Sequence, residues 1–280
     1  MKLILGADDF GGSAEVNAAV LAAHRHGVLT SASLMVAGEA ATEAVSMARD
    51  MPELAVGLHL VVVGGRPVLP ARAIPHLVDD DGRFPSDPLR VGLRYAFSRV
   101  ARRELAAEVR AQFDRFAATG LALAHVDGHH HMHLHPVVFD LLLPLAEEYG
   151  ARGVRLPRDD LRLSLAHGRE RALRKVVWVL VFGLLNRWCA RRLRDTALIA
   201  ADRVYGLLQT GQMHESYVLD LLHQLQVPTA EVYFHPSAGE GGVALGQNLG
   251  DMRALVSPAV RRVIAERGIH LTSYLALGQR

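Results

Sequence analysis

The chain has 280 residues, half of them apolar, which is enough for one large domain or two small ones with a substantial buried core. Its 31 basic and 29 acidic residues leave a formal charge of +2, which gives no reason to expect a nucleic-acid partner. Cys189 is the only cysteine, so an intramolecular disulfide is excluded and a thiolate metal site is not expected. The first apolar run reaches Asp8 and Asp9 too early for a signal peptide, so we expect a cytoplasmic protein.

Short apolar runs that predict strands alternate with helical patterns along the chain. The predicted strands are 2–7, 29–37, 54–63, 121–126, 153–156, 230–234 and 269–275. The predicted helices are 13–26, 102–118, 136–149, 215–225 and 258–267, and the proline-rich stretch 64–88 is predicted to be a long loop. This alternation favours an α/β fold with a mostly parallel sheet. About seven units indicate a distorted (β/α) barrel, TIM-barrel-like and in one domain over 1–280, with a doubly wound open sheet as the alternative.

The densest chemical signal is the segment HVDGHHHMHLHP at residues 125–136, where six histidines fall within 11 residues. In an extended strand alternate side chains share a face, so His125, Asp127 and His129 are predicted to project together. A carboxylate between two imidazoles suits a metal ligand, or an acceptor that orients a ligand histidine. Since Pro136 favours the start of a helix, the cluster is predicted at the carboxyl end of a strand. The alternative is a polar loop with surface histidines.

Three further polar positions follow predicted strands in the same way. Asp8 and Asp9 follow the first strand, His59 lies late in the third, and His235 follows the sixth. Active sites of parallel α/β folds gather at the carboxyl ends of strands, so we expect these side chains to share one site. Taken singly, the aspartates would suit a helix cap, His59 a core position and His235 a turn.

Two imidazoles and one carboxylate are the ligands of many hydrolytic zinc sites, which leave one position for water. The metal lowers the pKa of that water and polarises the carbonyl under attack, and a second carboxylate can accept the proton. Adjacent aspartates on one strand face opposite sides, which suggests that one of Asp8 and Asp9 is a ligand and the other a base. His235 would protonate the departing group.

These residues resemble the YdjC/ChbG-like family of carbohydrate deacetylases. The matching segments are ADDFG at 7–11, GLHL at 57–60, HVDGHHHMH at 125–133 and FHP at 234–236, in the order and spacing of the family. The resemblance covers nearly the whole chain. It implies a distorted (β/α) barrel and hydrolysis of an N-acetyl group on an amino sugar.

The resemblance also implies a role for each site residue. By the family pattern, the metal ligands are Asp9, His59 and His129, while Asp8 is the catalytic base and His235 the general acid. The implied supporting residues are Asp127, His125 and Arg155, the last of which would orient the substrate or the base. The implied cofactor is one divalent metal ion, zinc first, although an Asp/His₂ set also accepts Mg²⁺, Mn²⁺ or Co²⁺.

The segment 167–195 departs from the common family pattern. Residues 176–185 are ten uninterrupted residues without a charge, and arginines flank them on both sides. Ten residues are too few to span a bilayer, which needs about 20. The basic flanks and the aromatic residues Trp178, Phe182 and Trp188 are typical of a helix at a membrane surface. A buried helix, a homodimer contact and a lid over the substrate are the alternatives.

A barrel with an inserted apolar helix near 170–195 resembles the hopanoid-biosynthesis-associated branch of the family, and the segment 203–215 adds to this likeness. The resemblance implies a substrate sugar carried by a hopanoid lipid, with the enzyme at the inner face of the cell membrane. Three other functions stay open at this point. They are a deacetylase of soluble chitin-type oligosaccharides, a phosphoesterase with several metal ions in the histidine-rich run, and a metal-binding protein without enzymatic activity.

Overall fold

The computed structural model describes residues 1–239 and 246–278, and within these ranges the strands form one sheet with parallel pairings. The strands are β1 (Lys2–Phe10), β2 (Ser31–Leu34), β3 (Ala55–Leu60), β4 (His125–Gly128), β5 (Gly153–Val154), β6 (Arg203–Tyr205), β7 (Thr229–Phe234) and β8 (His270–Leu271). The helices are α1 (Ala14–His26), α2 (Ala41–Arg49), α3 (Pro88–Phe97), α4 (Arg99–Ala117), α5 (Pro136–Glu148), α6 (Leu161–Ala166), α7 (Ala172–Leu193), α8 (Glu215–Gln224), α9 (Leu249–Val256), α10 (Pro258–Glu266) and α11 (Tyr274–Leu277). Two short 3₁₀ helices cover Ala71–Ala73 and His129–Leu134.

The strand order is that of an opened barrel. Seven strands follow the order β5-β4-β3-β2-β1-β7-β6, and β8 pairs with the start of β1. Read from β6, the order is 6-7-1-2-3-4-5. Successive strands are therefore added on the same side, without the reversal of strand order that marks a doubly wound sheet. Single backbone hydrogen bonds extend the two edges of the sheet. Val154 N in β5 donates to Ile199 O, and Val204 O in β6 accepts from Arg158 N, both at 2.9 Å. The described residues therefore form a parallel, TIM-barrel-like α/β half-barrel, which confirms the predicted fold class.

Local sequence signals account for where several helices begin and which face they bury. The Ser13 side chain accepts a hydrogen bond from Val16 N at the start of α1, as an N-cap does. Pro136 occupies the first turn of α5, where its missing N–H costs nothing. The apolar positions of α4 recur at helical spacing, and all of them are buried: Leu105, Val109, Phe113 and Phe116.

Other sequence predictions need correction. The strand predicted at 121–126 begins only at His125, and the strand predicted at 269–275 ends at Leu271, before Ser273 caps α11. The predicted loop 64–88 ends in an unpredicted helix, because the Asp87 carboxylate accepts from Leu89 N and Arg90 N and starts α3. The sequence predictions also omit α2, α6, α9 and β6. These elements are short, and short segments carry little periodicity.

The helix α7 lies in the connection between β5 and β6, at the seam where the barrel is open. One face is buried: Asn186 donates to Pro157 O, and Cys189 Sγ lies 3.8 Å from Leu134 O. The other face is exposed, with Leu180 at 64% and Leu184 at 66%. A helix therefore covers Ala172–Leu193, and only one of its faces belongs to the core. No helix in 1–239 or 246–278 is both long and apolar enough to cross a membrane.

Gly57 provides a test of how tightly the sheet is packed near its carboxyl end. A Cβ added there would lie 2.4 Å from Nδ1 and Cε1 of His125. Tyr274 stacks on this ring at 5.2 Å between centroids, and Ser33 Oγ lies 3.0 Å from its Nε2, so the ring has little room to move. We expect Gly57→Ala to lower the free energy of unfolding by about 1–3 kcal/mol, measured by urea denaturation.

Gly183→Ala is the matched control, because a Cβ added at Gly183 in α7 meets nothing within 4 Å. It should be neutral or stabilise by about 0.5–1 kcal/mol, since alanine is the better helix former. A Gly57→Ala protein as stable as the wild type would show that the His125 ring moves freely.

Candidate metal and catalytic site

The predicted site residues come together at the carboxyl ends of four strands. These strands are β1, β3, β4 and β7, and a 3₁₀ helix directly follows β4. The buried residues of this cluster are Asp8, Asp9, His59, Asp127 and His129. Residues as far apart in the chain as Asp8 and His235 reach one place because parallel strands end at the same edge of a sheet.

An irregular backbone brings both aspartates to this place. Asp9 has φ of 60°, in the left-handed region that aspartate tolerates better than most residues. The register of β1 against β2 also shifts between Ala7 and Phe10. As a result, each of the two carboxylates has an oxygen within 4.8 Å of a His59 nitrogen. Asp9 joins the donor cluster that contains His129 and Asp8 the cluster that contains Asp127, so the expected division of the two aspartates between ligand and base stays a prediction.

Asp9, His59 and His129 form a compact set of donors. Their ligating atoms lie within 4.8 Å of one another, with Asp9 Oδ1 3.4 Å from His59 Nε2 and 3.2 Å from His129 Nδ1. Asp9 Oδ1 is buried, and no aligned hydrogen bond reaches it from the described residues. Buried carboxylate oxygens normally have a partner, and a divalent cation would supply one here. The set therefore fits a metal ion with one carboxylate and two imidazole ligands.

The charges around these donors favour an ionised Asp9. Burial alone would raise the pKa of Asp9, but the imidazole of His129, with those of His59 and His235, holds that pKa well below its usual range. Burial likewise opposes the charge on His59, yet the Asp127 carboxylate outweighs it and raises the pKa of His59 to about 9. Without a metal, the site is therefore arranged to attract positive charge.

Asp127 holds the ring of His59 from the side opposite the metal set. His59 Nδ1 lies 2.8 Å from Asp127 Oδ1, which leaves Nε2 facing Asp9. Pairing of a carboxylate with the second nitrogen of a ligand histidine fixes both tautomer and ring orientation. The other Asp127 oxygen accepts from Ser33 Oγ at 2.7 Å and pairs with Arg155 Nη1 at 2.6 Å.

Arg155 is fully buried and contacts carboxylates from three strands. Its Nη1 donates to both oxygens of Asp8 at 2.7 Å and pairs with Asp127, while its Nε donates to Glu231 Oε1 at 2.8 Å. Burial opposes the charge, but Asp127, Asp8 and Glu231 together raise the pKa of Arg155 well above its usual value. Asp8, His59 and Asp127 form a second cluster of donor atoms within 4.8 Å. Because the Arg155 guanidinium contacts both Asp8 and Asp127, a second cation in that cluster would be repelled by its positive charge, so the described residues favour one metal ion over two.

Asp8 and His235 face each other at the opening of the site. His235 Nε2 lies 3.9 Å from Asp8 Oδ2, and the His235 side chain is 13% exposed while that of Asp8 is buried. The buried Asp251 accepts from His235 N at 2.9 Å and from Met213 N at 3.1 Å, which positions the turn after β7. A substrate group entering from solvent would therefore meet the imidazole of His235.

A cavity of about 170 Å³ opens beside Asp9 and His129. Gln247 lines this cavity and donates from Nε2 to Asp9 Oδ2 at 3.0 Å. Arg66 and Glu39 also line it and pair at 3.2 Å. A concave pocket with a few convergent polar groups is where a small substrate binds.

The remaining histidines of the run have structural contacts. His131 Nε2 lies 2.8 Å from the hydroxyl of Tyr233, and His133 Nε2 lies 2.9 Å from Arg155 O. His130 and His131 both have positive φ, which turns the chain sharply after β4. His135 precedes α5, and its ring packs against Tyr95. None of these four belongs to the two donor clusters formed by the described residues.

Several residues in this network were not predicted from the sequence: Ser33, Gln247, Asp251, Glu231 and Tyr274. Glu231 carried a usable signal, because it is the only charged residue in the apolar run 230–234 and a buried charge needs a partner. Its partners are Arg155 and the hydroxyl of Tyr274, which donates at 2.7 Å. The other four carried no local signal.

Comparison with known proteins shows which family the chain belongs to. The YdjC-like protein family matches residues 2–266. The chain is 34% identical to the "Carbohydrate deacetylase" of Brevibacillus brevis, over 99% of this chain and 100% of that protein. It is 30% identical to the "Chitooligosaccharide deacetylase" of Serratia marcescens, over 97% of each. A solved structure from Enterococcus faecalis V583, described as a cellobiose-phosphate cleavage protein, has 25% identity and a TM-score of 0.77 and covers 99% of this chain and 98% of its own. The chain therefore belongs to the YdjC-like protein family.

Proposed function

We propose that this chain is a metal-dependent carbohydrate deacetylase that hydrolyses the N-acetyl group of an amino sugar, in one domain over residues 1–280. The observation that carries the proposal is the set formed by Asp9, His59 and His129, with Asp8 and His235 beside it. Relatives similar over nearly their whole length are named carbohydrate and chitooligosaccharide deacetylases, which supports the reaction class.

Asp9, His59 and His129 would hold one divalent ion, which we propose to be zinc, with Mg²⁺ as the alternative. Such an ion, when bound, polarises the acetyl carbonyl and makes a neighbouring water more acidic. Three protein ligands leave room for substrate and water, as in hydrolytic zinc sites. Asp127 keeps the His59 ring in the orientation that ligation requires.

The reaction needs one group to accept a proton and another to donate one. We assign Asp8 as the base that takes a proton from the attacking water, since Arg155 holds both of its oxygens in place. The water oxygen bonds to the acetyl carbon, the carbon–nitrogen bond breaks, and His235 Nε2 donates a proton to the departing amine. Acetate and a free amino sugar result. The separation of 3.9 Å between His235 Nε2 and Asp8 Oδ2 lets both groups act on one acetamide.

We further propose that the amino sugar is the head group of a hopanoid lipid, reached at the inner face of the cell membrane. The segment 167–195 would be an insertion that carries α7 to the lipid. The Trp188 ring packs on Phe139 at 5.8 Å and the Phe182 ring on His131 at 5.6 Å, so these two aromatics lie on the protein side of α7. The lipid side would be the exposed leucines and valines. The name of the Serratia marcescens relative supports the alternative, a soluble chitin-type oligosaccharide.

Acetate release from two substrates tests this proposal. The purified protein should release acetate from an N-acetylglucosaminyl hopanoid, lose that activity on chelation, and regain it when zinc is restored. Release from diacetylchitobiose alone would keep the reaction and overturn the lipid substrate. No release from either substrate would contradict the proposed reaction.

Asp8→Asn separates the base from the metal ligands. We expect it to keep the metal and lower kcat by about 10²- to 10⁴-fold, because an amide cannot accept the proton. His129→Ala should lose both metal and activity, because it removes a ligand. Metal content by mass spectrometry and acetate release check both variants, and wild-type turnover by Asp8→Asn would refute its role as the base.

Asp127→Asn tests the support behind His59. We expect zinc affinity to fall by about 10- to 100-fold, because the amide no longer provides a charged acceptor for His59 Nδ1. Asp220→Asn is the matched control, since Asp220 pairs with His167 at the same 2.8 Å but with more than half of its side chain exposed. Competition with a chromophoric chelator measures both affinities. Equal affinities in the two variants would show that Asp127 does not support the metal set.

A further inference from the structure

A second apolar surface lies on α3, a helix absent from the sequence predictions. Leu89, Leu93 and Phe97 are 73%, 51% and 82% exposed, and their spacing of four places them on one face. The opposite face is anchored, since Tyr95 is buried and donates from its hydroxyl to Val62 O. Val100, just inside α4, is 46% exposed and follows three residues after Phe97. A contiguous row of exposed apolar side chains is uncommon on a protein that functions free in water.

The exposed face of α7 has the same character. Its exposed apolar residues follow one another at intervals of three, one, three, one and three positions. This spacing matches the helical turn and places them in one stripe along the helix. The stripe consists of Leu173, Val176, Val177, Leu180, Val181 and Leu184, each between 37% and 78% exposed.

Both helices pack against the turn that carries the site histidines. On the α3 side, a Cβ added at Gly92 would lie 3.5 Å from the His135 ring and 3.9 Å from Met132 Cε. On the α7 side, Phe182 packs on His131 and Cys189 contacts Leu134. The segment 129–135 therefore lies between α3 and α7, and His129 at its start belongs to the metal set.

The charges on the two helices indicate which partner fits. Neither α3 nor α7 contains an acidic residue, while α3 carries two basic residues and α7 carries five. Among the exposed ones are Arg90, Arg174, Arg187 and Arg191. A second copy of the chain would bring like charges together, which disfavours a dimer through these faces. An anionic lipid surface satisfies both the apolar stripes and the arginines.

We propose that α3 is a second membrane-docking helix, and that α3 and α7 together hold the chain on an anionic bilayer with the 129–135 turn between them. The proposal deepens the lipid-linked form of the proposed function and rests on it for the identity of the substrate. Two docking elements on either side of the turn would hold the enzyme in one orientation, whereas a single helix would leave it free to rotate about that contact.

Vesicle flotation tests the proposal independently of catalysis. The probes are vesicles of equal parts phosphatidylcholine and phosphatidylglycerol, and vesicles of phosphatidylcholine alone. We expect the wild-type chain to float with the anionic vesicles, and less at high salt, because screening weakens the attraction of arginines to lipid head groups. Leu89→Glu/Phe97→Glu should reduce the partition coefficient by about tenfold or more, since both apolar anchors are lost.

Leu271→Glu is the matched control, because Leu271 is a 40% exposed leucine on β8 that pairs with the start of β1, at the end of the strand opposite the site. It should float like the wild type. Acetate release from diacetylchitobiose should be unchanged in the α3 variant, which would show that the fold and the site are intact. A wild-type chain that releases acetate from neither substrate but floats with the anionic vesicles would contradict the proposed reaction and support the docking proposal.

Three outcomes would overturn the proposal. In the first, the wild-type chain fails to float with the anionic vesicles. In the second, Leu180→Glu/Leu184→Glu on α7 abolishes flotation while the α3 variant floats like the wild type. In the third, light scattering shows a dimer that the α3 variant dissociates, which would assign the face to a second copy of the chain.

Discussion

The guanidinium of Arg155 is buried among the carboxylates of Asp8, Asp127 and Glu231, and much of the site depends on this contact. The carboxylates come from β1, β4 and β7, while the arginine directly follows β5, so one cation ties together four strands. Removing one member of such a buried group leaves an uncompensated charge, which is strongly destabilising. Arg155 therefore determines where Asp8 can lie and, through Asp127, how the His59 ring is oriented.

The same contact leaves a deficit of positive charge. Three carboxylates surround one guanidinium, and Asp9 adds a fourth carboxylate that Arg155 does not contact. The raised pKa of His59 expresses this deficit, because the neighbouring carboxylates favour its protonated form, whereas the imidazoles beside Asp9 lower the pKa of that acid and keep it ionised. A divalent cation between Asp9, His59 and His129 would correct it. The support network and the metal set are thus parts of one electrostatic arrangement.

The turn after β4 connects this arrangement to the surface. Its first residue, His129, belongs to the metal set, and its later residues pack against α3 on one side and α7 on the other. The helix α7 lies in the connection between β5 and β6, the two strands at the edges of the sheet. The turn therefore links the metal set to the two helices that carry exposed apolar faces.

The sequence by itself determined the parallel α/β class and the meeting of Asp8, Asp9, His59, Asp127 and His235. Strand and helix periodicities are local, and parallel strands must end at a common edge, so polar residues at strand ends can be placed without a structure. Only the tertiary structure decided the register shift at Asp9, the contacts of Arg155 and the exposed face of α3. Asp8 and Arg155 are 147 positions apart, and Gln247 and Asp9 are 238 apart. No local pattern encodes which of two distant residues will meet, because that depends on how the whole barrel packs.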